Sequence, residues 1–213
     1  VPIVIAFLDC DGTLTKVKSS WEYLHRRLGL WENNADSYQK LFREGEIDYY
    51  EFCKRDALLW KGIPVSKVMD VMAEIPYQEG AGETIGSLRG MGITTIIVST
   101  GLSLLVDKVK GDLGAHIAIA NDLLTKNGHL TGDIRINVEY DKKGQLVEKI
   151  LDNMKIKREE ACAVGDGEGD TGMFEAVGLS IGFNPHPNIL PLLGHVLYTA
   201  SLFNITEIIG NYG

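Results

Sequence analysis

The stretch Val1-Pro2-Ile3-Val4-Ile5-Ala6-Phe7-Leu8-Asp9-Cys10-Asp11-Gly12-Thr13-Leu14-Thr15 decides how the rest of the chain is read. Residues 1–8 form an apolar run with no polar alternation, the pattern of a central parallel strand buried on both faces. The run is short, lacks a basic flank and passes directly into Asp9, so it reads as a strand and not as a signal peptide. Two carboxylates and a glycine then follow within four residues, at the point where the strand should end.

Working outward, Ile93–Val98 repeats the apolar signature and Ala161–Val164 repeats it briefly, with Leu179–Phe183 and His195–Tyr198 as weaker strands. Helical patterns over Ala81–Gly90, Ser103–Leu113, Gly144–Met154 and Gly169–Val177 separate them. Strand alternating with helix predicts an α/β fold, a doubly wound, mostly parallel Rossmann-like sheet with right-handed crossovers. Two stretches interrupt the alternation. Residues 16–77 hold no convincing strand, only amphipathic segments near Trp21–Leu28, Ala35–Arg43, Tyr49–Trp60 and Val65–Glu74, broken by Gly29, Gly45 and Gly62-Ile63-Pro64. This is a helical insertion, so the core is expected to comprise 1–15 and 78–213. In 121–138, Asn127-Gly128 between strand-like runs signals a hairpin. Trp21, Trp31 and Trp60 are expected inside the insertion or against the sheet domain, with one a candidate wall of a substrate pocket.

Composition narrows the function classes. The chain has 213 residues, 45% hydrophobic and 23% charged, which fits an ordinary globular chain able to bury a core without disulfides. The formal net charge of −8 argues against nucleic acid or an anionic membrane as partner. Acidic and basic residues balance within 16–77, so the negative excess belongs to the sheet domain. No apolar run is long enough to span a bilayer. The three cysteines (Cys10, Cys53, Cys162) are scattered, which suits a reducing, cytoplasmic setting.

Open α/β sheets bind ligands beyond the carboxyl ends of their strands. The segments there are Asp9-Cys10-Asp11-Gly12, Ser99-Thr100-Gly101 and Gly165-Asp166-Gly167-Glu168-Gly169-Asp170, with Lys142-Lys143-Gly144 opening a crossover helix. Asp9, Asp166 and Asp170 are hard oxygen donors suited to Mg²⁺, which would relieve their mutual repulsion. Ser99 and the N–H groups of Thr100 and Gly101 can hold phosphate oxygens. Lys143 supplies a point charge, with Lys142 and Lys149 as alternative donors. Asp9 can attack phosphorus, and Asp11 can give a proton to a leaving alcohol and later take one from water. The set suits phosphoryl transfer from a small phosphorylated metabolite. Two rival patterns fit poorly. An EF-hand needs its glycine at loop position 6, whereas Gly12 stands fourth from Asp9. A dinucleotide fingerprint at Gly165-x-Gly167-x-Gly169 would set three acids against a pyrophosphate. None of the five histidines has ligand spacing.

In this order, Asp9-x-Asp11-Gly-Thr-Leu, Ser99-Thr-Gly101, Lys143-Gly and Gly165-Asp166-Gly-x-x-Asp170 resemble the four motifs of haloacid dehalogenase-type phosphatases. The runs KKGQLVEKI and AVGDGEGDTGMF, and the insertion directly after the first motif, are most similar to the phosphoserine phosphatase branch. The resemblance implies a cap domain over 16–77 and Mg²⁺-dependent phosphomonoester hydrolysis through an aspartyl phosphate. It implies Asp9 as nucleophile and metal ligand, Asp11 as acid/base and, through its carbonyl, metal ligand, Ser99 and Lys143 as phosphate ligands, and Asp166 as metal ligand with Asp170 close behind. A phosphotransferase or mutase, or a weakly catalytic phosphometabolite binder, would share this arrangement. The chain departs from the branch at four places. Lys18 stands nine residues after Asp9, where the branch carries a Glu facing the substrate ammonium. The cap Arg that faces the substrate carboxylate falls on Asp56, with Arg55 adjacent, so Lys18, Arg55 and Asp56 are the specificity candidates. Gly169 replaces an Asn and Thr100 a Gly.

Overall fold

The computed structural model describes residues 1–212. Seven strands form one sheet: β1 (Ile5–Leu8), β2 (Thr94–Leu102), β3 (Ile117–Lys126), β4 (His129–Arg135), β5 (Ala161–Gly165), β6 (Leu179–Phe183) and β7 (His195–Leu197). Their order is β4-β3-β2-β1-β5-β6-β7. Every pairing is parallel except β3 with β4. β1 is shorter than the apolar run that announced it, beginning at Ile5. It lies mid-sheet between β2 and β5.

The helices are α1 (Ser20–Arg27), α2 (Asp36–Arg43), α3 (Tyr49–Leu59), α4 (Val65–Ala73), α5 (Ala81–Gly90), α6 (Ser103–Leu113), α7 (Lys143–Met154), α8 (Thr171–Glu175) and α9 (Ile205–Gly210), with a π-helical turn at Trp31–Ala35 before α2. Strand periodicity splits the core into two layers. Ile5 and Phe7 join Ile96, Val98, Ala161 and Ala163 under Val147 and Leu151 of α7 and Met173 and Phe174 of α8. Ala6 and Leu8 face the other way, with Ile97, Cys162 and Val164, toward apolar residues of α5, α6 and α9.

Two sequence expectations shift. The hairpin turn is at Asn127-Gly128, both with positive φ, but the ladder begins earlier. The first half of β3 pairs parallel with β2, and the second half pairs antiparallel with β4. One strand thus belongs to both the sheet and the hairpin. Ser99-Thr100-Gly101 lie within β2, which runs on to Leu102, and not in a loop after it. Ser99 is therefore not the cap of α6, which starts at Ser103.

Between β1 and α5 the chain is helical. Its two ends meet, the Lys16 N–H donating to the Pro76 carbonyl and the Gln78 N–H to the Leu14 carbonyl, each at 2.9 Å. The Gly62–Val65 loop runs along β4, with the Leu130 N–H donating to the Ile63 carbonyl and the Gly62 N–H to the Leu130 carbonyl. This covers an otherwise open sheet edge.

The four helices carry a small polar core of their own. Trp60 Nε1 donates to His25 Nδ1 at 3.1 Å. An indole N–H can only donate, so His25 carries its proton on Nε2, 3.3 Å from Asp56 Oδ1. All three side chains are buried, and the His25 and Trp60 rings lie 4.4 Å apart. The three cysteines are free and buried, and burial pushes the Cys53 and Cys162 thiols up to about 12. Among the described residues no helix is long and apolar enough to cross a membrane. Asp56→Ala removes the acceptor facing the His25 N–H and is expected to lower unfolding free energy by about 1–3 kcal/mol. A chemical denaturation midpoint equal to that of the parent would place Asp56 outside the structural core of these helices.

Candidate functional site

The carboxyl end of β1 delivers Asp9 and Asp11 to a cavity of about 1040 Å³ between the sheet and helices α1–α3. Gly12 makes this possible. Its φ is +82°, and a Cβ there would collide with the Asp166 carboxylate, 2.7 Å from Oδ1 and 2.8 Å from Cγ. The first motif can therefore close on the fourth only through a glycine.

Asp9, Asp166 and Asp170 each offer a carboxylate oxygen, all within 4.8 Å of one another, and all three residues are buried. Burial, then repulsion from Asp170 and Asp166, pushes the Asp9 carboxyl well above the usual range, against the pull of Lys143. Burial raises Asp166 as well, opposed chiefly by Lys18, whose Nζ donates to Asp166 Oδ2. Lys143 Nζ lies 2.6 Å from Asp9 Oδ1 and 2.7 Å from Asp170 Oδ1. Burial alone would lower its pKa, but those two carboxylates hold it above the ordinary lysine value. The other oxygen of Asp170 accepts the N–H groups of Asp166 and Gly167, both at 3.1 Å. Asp170 is thus engaged at both oxygens and fixes both the lysine and the loop.

Local chain geometry explains the lysine. Lys143 opens α7, and Gly144 follows it against α8, where an added Cβ would stand 2.5 Å from the Gly172 carbonyl oxygen. The two glycines let the helices touch at backbone distance, which brings the Lys143 stem down to the carboxylates.

Asp11 points elsewhere. Its Oδ2 accepts the N–H of Ser20 at 2.6 Å, at the start of α1, whose Ser19 hydroxyl caps the Glu22 N–H. Burial raises the Asp11 pKa, with the Ser20 N–H and hydroxyl opposing, and Asp11 Oδ1 is buried without a hydrogen-bond partner. Its carboxylate is not part of the three-acid cluster. The Ser99 hydroxyl accepts the Gly101 N–H at 2.9 Å. Ser99 and Thr100 line the cavity, and Gly101 sits behind them, where a Cβ would lie 3.0 Å from the hydroxyls of Ser20 and Ser99.

The helical segment supplies the opposite wall: Lys18, Ser19, Trp21, Gln39, Phe42, Arg43, Tyr49 and Phe52. Tyr140 joins it from the core, edge-on to Phe42 with centroids 5.6 Å apart. Its ring lies against Gly169, 3.0 Å from where a Cβ would be, so a side chain there would push on the ring. The Thr100 carbonyl stitches the two walls together. It accepts from Trp21 Nε1 (3.1 Å), the Tyr49 hydroxyl (3.2 Å) and buried Asn121 Nδ2 (3.1 Å).

The sequence candidates divide accordingly. Asp9, Asp11, Ser99, Thr100, Lys143, Asp166 and Asp170 surround one cavity, and Lys18 reaches it through Asp166. Arg55 and Asp56 do not reach it. Arg55 pairs with Glu51 on its own helix at 2.8 Å and covers the Tyr38 ring, while Asp56 is buried against His25. Sequence reading missed Arg43, Tyr140, Asn121 and Ser20. Only Ser20 left a signal, the Ser19-x-x-Glu22 helix-start pattern beside it.

Known proteins similar to this chain are hydrolases and phosphatases. Residues 6–175 match the model of the haloacid dehalogenase-like hydrolases. The chain is 35% identical over 184 residues to a phosphoserine phosphatase of Methanocaldococcus jannaschii, covering 86% of each chain. It is 31% identical over 203 residues to one from Lactococcus lactis subsp. lactis, covering 95% of this chain and 93% of the relative. A solved structure described as a phospho-aspartyl intermediate analogue of phosphoserine phosphatase superposes with a TM-score of 0.84 at 31% identity, covering 98% of this chain and 99% of that one. With a family match running from β1 through α8, over the strand ends that carry the site, this chain belongs to the haloacid dehalogenase-like hydrolases.

Proposed function

We propose that this chain is a Mg²⁺-dependent phosphatase that hydrolyses a small phosphomonoester through an aspartyl phosphate on Asp9. The observation that carries the reading is the division of labour between two carboxylates two residues apart: Lys143 holds Asp9, and the Ser20 N–H holds Asp11. An Asp9 oxygen attacks phosphorus as the bond to the leaving oxygen breaks, and Asp11 gives that oxygen its proton. Burial raises the Asp11 pKa, which favours the protonated form this step draws on. Water then attacks the phosphoaspartate, Asp11 takes the water's proton, and the Asp9–phosphorus bond breaks. Ser99, the Thr100 backbone and Lys143 hold the phosphoryl oxygens, while the Gly101 N–H, which the sequence had offered for this, donates to the Ser99 hydroxyl.

The donor set fits a divalent cation: hard oxygens converge, and burial and repulsion raise the Asp9 and Asp166 pKa values. Asp9, Asp166 and the Asp11 carbonyl would hold Mg²⁺, with Asp170 fixing the loop. The ion supplies charge neutralisation that keeps Asp9 ionised and stabilises the phosphoryl oxygens. We assign residues 16–77 as a cap domain over a core of 1–15 and 78–213, closing the site to bulk water during transfer. The buried reduced thiols fit a cytoplasmic location.

Two measurements test the reading. Mg²⁺-dependent phosphate release from 4-nitrophenyl phosphate is expected to fall at least about 10³-fold in Asp9→Asn, with the circular dichroism spectrum of the folded protein retained. A variant that keeps its rate removes Asp9 as nucleophile. Separately, Mg²⁺ at 100 times its Kd is expected to stabilise the fold by about 2.7 kcal/mol, or roughly 5–11 °C in Tm. The raised carboxyls hold protons at low pH that the ion must displace, so the shift should shrink from pH 7.5 to pH 5. It should also shrink in Asp166→Asn. A pH-independent shift that survives Asp166→Asn would put the ion elsewhere.

A further inference from the structure

Resting on the phosphatase reading, we infer that the leaving alcohol carries a carboxylate and no ammonium group, and that Arg43 is its anchor.

The helical wall contributes two cations, Lys18 and Arg43, and no carboxylate. Lys18 is paired with Asp166, but among the described residues Arg43 has no carboxylate partner within 4.0 Å. It is exposed at the last turn of α2, beside Gln39 and Phe42, which also line the cavity. The acids Asp9, Asp11, Asp166 and Asp170 belong to the phosphoryl end. Glu168 is the one other lining carboxylate. It lies on the core rim, where it accepts from Asn188 Nδ2 and stands 3.9 Å from His186 Nδ1.

A substrate ammonium directed at the helical wall would therefore meet the Arg43 guanidinium and no carboxylate of that wall. A substrate carboxylate would meet a guanidinium able to bind it in two-pronged fashion. The same cavity is lined by Trp21, Phe42, Tyr49, Phe52 and Tyr140, aromatic surface for a carbon skeleton. The cap residue that reads the substrate is thus on α2 and not on α3, where the sequence pattern had pointed.

The test uses probes that differ at one group. O-phosphoserine and 3-phosphoglycerate share a carboxylate and a three-carbon skeleton and differ in bearing an ammonium or a hydroxyl. With Mg²⁺, kcat/KM for 3-phosphoglycerate should exceed that for O-phosphoserine by about tenfold or more, and O-phosphoethanolamine, which has the ammonium alone, should be the poorest. Arg43→Glu should lower the ratio of kcat/KM for 3-phosphoglycerate to that for 4-nitrophenyl phosphate, which lacks the carboxylate, by about tenfold or more. Preference for O-phosphoserine, no preference between the two, or a ratio unmoved by Arg43→Glu overturns the inference while 4-nitrophenyl phosphate is still hydrolysed. If no probe, 4-nitrophenyl phosphate included, releases phosphate, the phosphatase reading fails and this inference falls with it.

Discussion

A buried ammonium holds the site together. Lys143 is 2% exposed and sits between the Asp9 and Asp170 carboxylates, which come from β1 and from the turn after β5. Without a cation there, two buried carboxylates would face each other, and breaking such a pair by removing one partner typically costs about 3–5 kcal/mol. The lysine reaches that point only because Gly144 and Gly172 let α7 and α8 meet at backbone contact. A stability requirement and a catalytic arrangement are therefore the same three charges. The cluster stays electrostatically unbalanced even so: Asp9, Asp11 and Asp166 all sit above their usual pKa range, the state a divalent cation would relieve.

A second constraint joins the helical segment to the sheet. The Thr100 carbonyl, within β2, is reached by Trp21 of α1, Tyr49 of α3 and Asn121 of β3. Asn121 also accepts the N–H groups of Asn137 and Val138, tying down the chain before α7. The hydrogen bonds that position Ser99 and Thr100 thus also position the helices across the cavity. The junction at Lys16–Pro76 and Leu14–Gln78 lies directly behind the first motif, so the insertion leaves and rejoins the core close to Asp11 and Ser20.

The core was largely legible because its signals are local or follow from topology. An unbroken apolar run marks a strand buried on both faces, and a parallel sheet sends all its carboxyl ends to one rim. Asp9, Ser99, Lys143 and Asp166 could be grouped from sequence for that reason, across more than 150 residues. Asp56 shows where the method stops. Trp21 and Phe52 form one layer at the cavity, 6.2 Å apart. His25 and Asp56 are each four residues further along the same helices, one turn deeper, where the cavity has ended. Amphipathic periodicity reports which face of a helix is buried, not how far along its axis a ligand reaches.

By itself, the sequence determined the strand and helix order, the rim of carboxylates, hydroxyl and lysine, and the glycines at Gly12 and Gly144 that such a rim requires. Only the tertiary structure decided which side chains of 16–77 line the cavity. It placed Arg43 at the cavity, buried Asp56 against His25, set Lys18 on Asp166 and pressed Tyr140 against Gly169. The physical reason is that a strand end is located by hydrogen-bonded register within one sheet. A side chain of the helical segment is located by how separate helices dock on one another and on the sheet, through non-local contacts that no window of sequence contains.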